Sequence, residues 1–253
     1  MKKAHKQNAR GEGGFSLVEL MIATLLFTTI AGITFALLGV SLQRYKGEKD
    51  YLNSFQQANV AMDQIARDVH TAGYPPANSF TAATVALNPA RVATPFAWMP
   101  AYPVTPCTVL VSCVTPGPFD LITEADLGDG LGVQWVRYTL VGTTLMRGTA
   151  QKGVVDPVTA TGGNLVPYLE NVMNSATAAQ MATLKQSNPQ LFPGNAAVPI
   201  FTYLPDAGTA FQPPNIREVN VTLIVQSARP DPNTNRFRVV VLTGQAIRIN
   251  PNQ

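Results

Sequence analysis

Apolar side chains run almost unbroken from position 15 to position 42, and then the rhythm changes. Inside that run the one ionisable residue is Glu19. Charges follow at once at Arg44, Lys46, Glu48, Lys49 and Asp50. Beyond them apolar residues recur at Leu52, Phe55, Met62, Ala66 and Val69, with Asn59 at the missing place and Asp63, Arg67 and Asp68 as polar neighbours. Spacing by three and four keeps such residues on one helical face. The pattern stops at Gly73, which predicts a C-cap, with Pro75 and Pro76 just after. The chain therefore predicts one helix over residues 15–73. Its first half (15–42) is greasy all round and suits a membrane or a filament core. Its second half (43–73) is amphipathic and suits packing on a globular head.

After the helix the character shifts. Residues 75–106 hold seven prolines and a single charge, Arg91. Proline at that density blocks helical and ladder hydrogen bonds, so an irregular excursion with short edge strands is expected. Strand signals begin at 119–123, and an acidic, glycine-rich turn is expected over 124–132. Residues 133–141 (VQWVRYTLV) are β-branched and aromatic, and Gly142-Thr143 turns them into 144–147 as a hairpin. A loop is expected over 148–164 and a strand over 165–172. Residues 174–187 have a helical pattern, capped by Asn174 or Ser175, with Ala178, Met181 and Leu184 on one face and Pro189 ending it. A strand over 199–204 and a hairpin of 216–226 with 237–249 complete the order. One long helix followed by antiparallel strands is an α+β arrangement.

Composition changes this picture in one respect. The chain has 253 residues, of which 46% are hydrophobic and 13% charged, and a formal charge of +3. That charge sits in residues 1–14, where Lys2, Lys3, Lys6 and Arg10 face Glu12 alone. The remaining fourteen basic and fourteen acidic side chains cancel. Residues 15–253 therefore give no global electrostatic reason to bind nucleic acid. The basic leader sets topology instead: it holds residues 1–14 in the cytoplasm and sends the C-terminal part across the membrane. Cys107 and Cys113 then lie in an oxidising compartment, which favours a disulfide between them over two free or buried thiols.

An ordinary secretory signal has an apolar core of about 7–15 residues and then a small-residue cleavage site. The run here spans 28 residues (15–42), with no such site after it. At about 1.5 Å per residue it is roughly 42 Å long, beyond the ~30 Å of a bilayer's hydrocarbon core. A plain membrane anchor explains that length but not Glu19, because a carboxylate in hydrocarbon is costly and by default has a functional partner.

Candidate chemistry is sparse. His70 is the one histidine after the leader, which excludes an imidazole-built metal site, and its place at the helix end suits the dipole. No G-x-S-x-G, P-loop or G-x-G-x-x-G is present, so the chain is not read as an enzyme and no cofactor is expected. Glu124, Asp126 and Asp129 are an oxygen-rich candidate for Ca²⁺, although their spacing misses the EF-hand pattern and such Asp–Gly clusters more often make turns. Arg217, Arg229, Arg236, Arg238 and Arg248 gather in the last hairpin. Glu218 and Asp231 among them favour a solvated strand face over a polyanion-binding patch.

The stretch Gly14-Phe15-Ser16-Leu17-Val18-Glu19 resembles the N-terminus of type IV prepilins and of the pseudopilins of type II secretion. Three further segments narrow the resemblance. Asp68-Val-His-Thr-Ala-Gly73-Tyr74 is similar to the D-x-R-x-A-G-Y segment of PilW-like minor pilins, with His70 in place of the arginine. Residues 136–147, carrying Tyr138, Leu140, Leu145 and Arg147, are similar to the Y-x-L…L-x-R hairpin of PilW-like minor pilins and GspJ-type minor pseudopilins. The terminal hairpin ending near Arg248 fits both.

The resemblance implies the type IV pilin fold, with a long N-terminal helix packed on an antiparallel β-rich head (74–253). It implies that prepilin peptidase cuts between Gly14 and Phe15 and N-methylates Phe15. It implies that Glu19 meets the new amine of a neighbouring pilin, and that the chain waits as a single-pass protein of the inner membrane before entering a pilus. A buried carboxylate and ammonium compensate each other where either alone is penalised. Two alternatives remain open on sequence: a GspJ-type pseudopilin, and an unprocessed membrane-anchored periplasmic binding module.

Overall fold

The computed structural model describes residues 14–96, 117–153, 155–208, 215–232 and 234–249. The protein is α+β, with a long N-terminal helix and two antiparallel sheets. Helix α1 (Leu17–Thr71) is a single element of 55 residues. The chain divides into two compact units, one ending at Lys46 and one beginning at Gly47.

In the N-terminal unit α1 is apolar and exposed. Its most apolar 18-residue window has a mean hydropathy of 2.1 and is 0% buried. Thr28, Thr29 and Thr34 return their hydroxyls to carbonyls one turn back, which satisfies them without solvent. The helix is long and apolar enough to cross a membrane.

In the C-terminal unit the rest of α1 lies in the main core with faces of both sheets. The buried positions are Ser54, Ala58, Ala61, Ile65, Asp68 and Val69. This corrects the face expected from Leu52 and Phe55, which are 52% and 40% exposed. The reason is volume. Serine and alanine let the helix axis approach the strands, while Met62 and Ala66 pack from the flank, partly buried. The approach is tight: a Cβ on Gly244 would stand 2.8 Å from the Met62 sulfur. Gly73, at φ +88°, ends the helical region in the left-handed conformation as expected.

The first sheet has the order β1–β2–β3–β4: Asp120–Asp126, Val133–Val141, Thr144–Gln151 and Val166–Leu169. The second is β5–β6–β7: Phe201–Pro205, Ile216–Gln226 and Val239–Ile247. In the first sheet, Val136 and Tyr138 join the core that contains α1. Ile122 and Trp135 instead pack with Val158 and Ala160. The sheets are tied together by residues 171–174. Val172 bridges Val225, and the buried Asn174 amide donates to the carbonyls of Val198 and Thr222 while its oxygen accepts the Ile224 N–H.

Several expected boundaries move. The 75–96 excursion carries a short helix, α2 (Ala82–Leu87), capped by Thr81, between two 3-10 turns. The 148–164 loop is in part the end of β3 and in part α3 (Pro157–Gly162), capped by Asp156. Helix α4 (Ala178–Ser187) begins later than expected, because Thr177 and Gln180 form a complete capping box while Asn174 is spent inside the fold. β1 runs on through Glu124 to Asp126, so the acidic turn is shorter than expected. The returning strand of the last hairpin is shorter than expected, so Arg236 and Arg238 precede it and Arg248 follows it.

Candidate functional site

The first candidate is the start of α1. Gly14 and Phe15 precede the helix, and Phe15 is 88% exposed. The Ser16 N–H donates to a Glu19 carboxylate oxygen at 2.9 Å, and the Leu20 N–H to the Ser16 carbonyl. Ser16 and Glu19 thus make half of a capping box, which satisfies one N–H that a helix start leaves unpaired. Within this chain Glu19 holds its own helix end. It stands at the head of an exposed apolar surface that runs through Leu20, Leu25, Ile30, Phe35 and Leu42. The geometry joins three things in one place: an accessible Gly14–Phe15 junction, a carboxylate one turn inside, and an uncovered apolar shaft.

The second feature lies where α1 meets the first sheet. The segments that carried the later resemblance converge there. The Tyr138 hydroxyl donates to Asp68 at 2.5 Å, and Arg147 donates to the Tyr138 oxygen at 3.0 Å and to Asp68 at 3.1 Å. Gln64 donates to the other Asp68 oxygen, and Tyr168 meets the Tyr138 ring edge-on. Burial and the adjacent Asp68 charge push the Tyr138 hydroxyl far above the ordinary tyrosine value. The arrangement is a latch between helix and sheet. Each residue was visible in sequence, but their meeting was not, since Asp68 and Arg147 are 79 residues apart.

The calcium candidate is not assembled. Glu124 is fully buried on β1. One of its oxygens accepts from the Trp135 indole at 2.8 Å; the other accepts from the Thr94 N–H and hydroxyl, both at 2.8 Å, and from Lys152 at 2.6 Å. Lys152 also donates to the Val92 carbonyl. That carboxylate is saturated, and it fastens residues 92–94 to the sheet. Asp126 accepts the Gly128 N–H, and Asp129 accepts from Leu131 and Gln134. Those two bonds hold the Asp129 carboxyl below the usual carboxylate range. Among the described residues no group of three or more His, Cys, Asp or Glu could hold a metal ion. The bonds to Glu124 had no local signal, because Lys152 lies in a stretch that reads as a loop. Cys107 and Cys113 lie outside the described residues.

The arginines of the last hairpin are mostly committed. Arg238 pairs with Glu48 and Asp231, Arg229 approaches Asp50 at 3.7 Å, and Arg217 approaches Asp206 at 3.5 Å. Arg248 is buried, and burial lowers its pKa to about 10. His70 is exposed at the end of α1.

No family model, no curated protein and no solved structure matches this chain.

Proposed function

We propose that this chain is a PilW-like minor pilin of a type IV pilus, made as a prepilin and assembled into, or priming, the filament. The observation that carries the reading is the coincidence at the start of α1. A Gly14–Phe15 junction, Glu19 and an uncovered apolar shaft occur together, and the same helix continues into a half that packs on a β-rich head. A greasy helix with no cover of its own needs one from outside, either lipid or other helices. In lipid, prepilin peptidase would release residues 1–14 and N-methylate Phe15. In a filament, other major and minor pilins would cover the shaft, and the Glu19 carboxylate would exchange the Ser16 N–H for a neighbour's N-terminal ammonium. The physical gain is mutual: each charge would otherwise be buried unpaired.

The deciding experiment is the N-terminal mass of the protein recovered separately from sheared surface filaments and from membranes. A chain that starts at N-methylated Phe15 in sheared filaments is the expected result. The same terminus confined to membranes favours a GspJ-type pseudopilin, whose Tyr138–Arg147 hairpin motif is shared. In that case deletion abolishes protein secretion and leaves pili intact. A chain that still starts at Met1 overturns the prepilin reading and leaves an anchored periplasmic module.

A further inference from the structure

Two adjoining cavities open beside α4, of about 680 and 560 Å³, and share Ser187, Thr234, Arg236 and Phe237. Such volumes fall within the ~300–1,000 Å³ typical of small-ligand sites. The floor is apolar where the buried Met173 and Leu184 contribute. The rim is made of amides and hydroxyls. The side chains of Gln186, Ser187, Asn188, Gln226, Asn235 and Arg236 make no hydrogen bond to one another or to other described residues. Among the described residues no carboxylate lines either cavity. Phe237 is 37% exposed and gives the groove an aromatic edge.

Charge selects further. Arg217, Arg229 and Arg238 each have a carboxylate nearby, and Arg248 is buried with a partner of its own. Arg236 alone in this hairpin is exposed with no acidic partner among the described residues. An unengaged guanidinium beside carboxylates that are already spent on Arg238 is a place for a planar anion, which it grips in two parallel hydrogen bonds. Nucleic acid asks for more: a track of cations along the backbone and successive stacking platforms. Here the second arginine of the groove, Arg238, is already neutralised by Glu48 and Asp231 and lies over the Tyr51 ring.

We infer that the α4 groove binds an acidic oligosaccharide, with Arg236 holding a sugar carboxylate, Phe237 packing against a ring face, and the amides and hydroxyls taking the ring hydroxyls. The match is chemical. A uronic acid unit offers one carboxylate, several hydroxyls that need both donors and acceptors, and an apolar face of C–H groups. The groove offers the complement of each. The site lies wholly in the unit that begins at Gly47 and does not depend on how residues 1–46 are processed.

The test is calorimetric titration of the full chain in detergent with tetragalacturonate, its neutral methyl ester, and an eight-residue oligothymidylate. Saturable binding of the uronate is expected, with the ester weaker by about tenfold or more, the scale of one charge-assisted contact. Arg236→Gln should erase that preference while leaving the unfolding midpoint unchanged, and Phe237→Ser should weaken both sugars. Arg91→Gln, a distant change of equal charge, should do neither. Three outcomes overturn the assignment: no saturable uronate binding, an Arg236→Gln protein that still prefers the uronate, or oligothymidylate bound as tightly as the uronate. The last would make the groove a nucleic-acid site.

Discussion

The two halves of α1 share one unbroken backbone and differ in almost everything else. The first half holds the most apolar window of the described chain, and none of that window is buried. The second half is mixed in polarity, yet Ala58, Ile65 and Val69 in it are wholly inaccessible. Apolarity therefore does not predict what a helix buries within its own fold. It predicts the medium the helix needs. In the first half that medium must come from outside the chain. In the second it comes from the sheets: small residues let the helix approach them over 54–61, and the larger Ile65 and Val69 pack into them further on. Ser54, Ala58 and Ala61 lie inside because they are small, while the larger Leu52, Phe55 and Val60 stay out.

The sharpest way to break this contrast is to unlatch the packed half. Asp68→Ala would leave the partly buried Arg147 and the Tyr138 hydroxyl without their acceptor. The expected loss is about 3 kcal/mol of head stability, read by urea unfolding of the full chain in detergent. A loss within error would mean that packing alone holds the helix. Next comes a steric intrusion. Gly244→Ala sets a methyl against Met62, and a loss of about 1–3 kcal/mol is expected. Met62→Ala in the same chain should recover part of it, and a double variant no better than the single one would place the strain elsewhere.

A smaller effect is chemical. Tyr138, Tyr168 and the partly buried Tyr203 keep their protons in the fold above the ordinary tyrosine value, while burial lowers the Arg248 pKa to about 10 and acts in the opposite direction. In the unfolded chain tyrosine loses its proton near pH 10, so the unfolded state binds fewer protons above that point and stability falls as pH rises. Stability measured from about pH 9 to 11 should fall less steeply in Tyr138→Phe, with Tyr168 and Tyr203 keeping a downward slope that Arg248 opposes. An unchanged slope would remove Tyr138 from the account. The smallest change belongs to the other half of α1. Leu25→Ser should shift head unfolding by less than about 0.5 kcal/mol, since no contact within the chain is lost. A larger shift would mean that the halves are energetically joined.

Sequence patterns carried the regular elements well. The strands over 133–141 and 216–226 were legible at their observed bounds because β-branched and aromatic residues mark them throughout. The end of α1 was legible from Gly73. α2 and α3 were not, because six-residue helices depend on one cap each, Thr81 and Asp156, which in a proline-rich or loop-like context resemble any turn residue. Glu124 was misplaced for a different reason. A carboxylate before a glycine-rich stretch reads as solvent-facing, and distant donors, Trp135 on the neighbouring strand, Lys152 beyond the hairpin and Thr94, make its burial tolerable. At the candidate site the Gly14–Phe15–Glu19 spacing was legible, whereas the Ser16 contact to Glu19 emerged only from the structure. The latch and the α4 groove were not, since both join residues far apart in the chain.

The pairing of Phe96 with Thr123 and of Gly117 with Asp120 roots the two flanks of residues 97–116 on one strand, three residues apart. At about 3.3 Å per residue those roots lie roughly 10 Å from each other along β1. The strand is thus a mounting plate with two fixed bolts. The register of β1 against β2 thereby sets where both flanks leave the sheet.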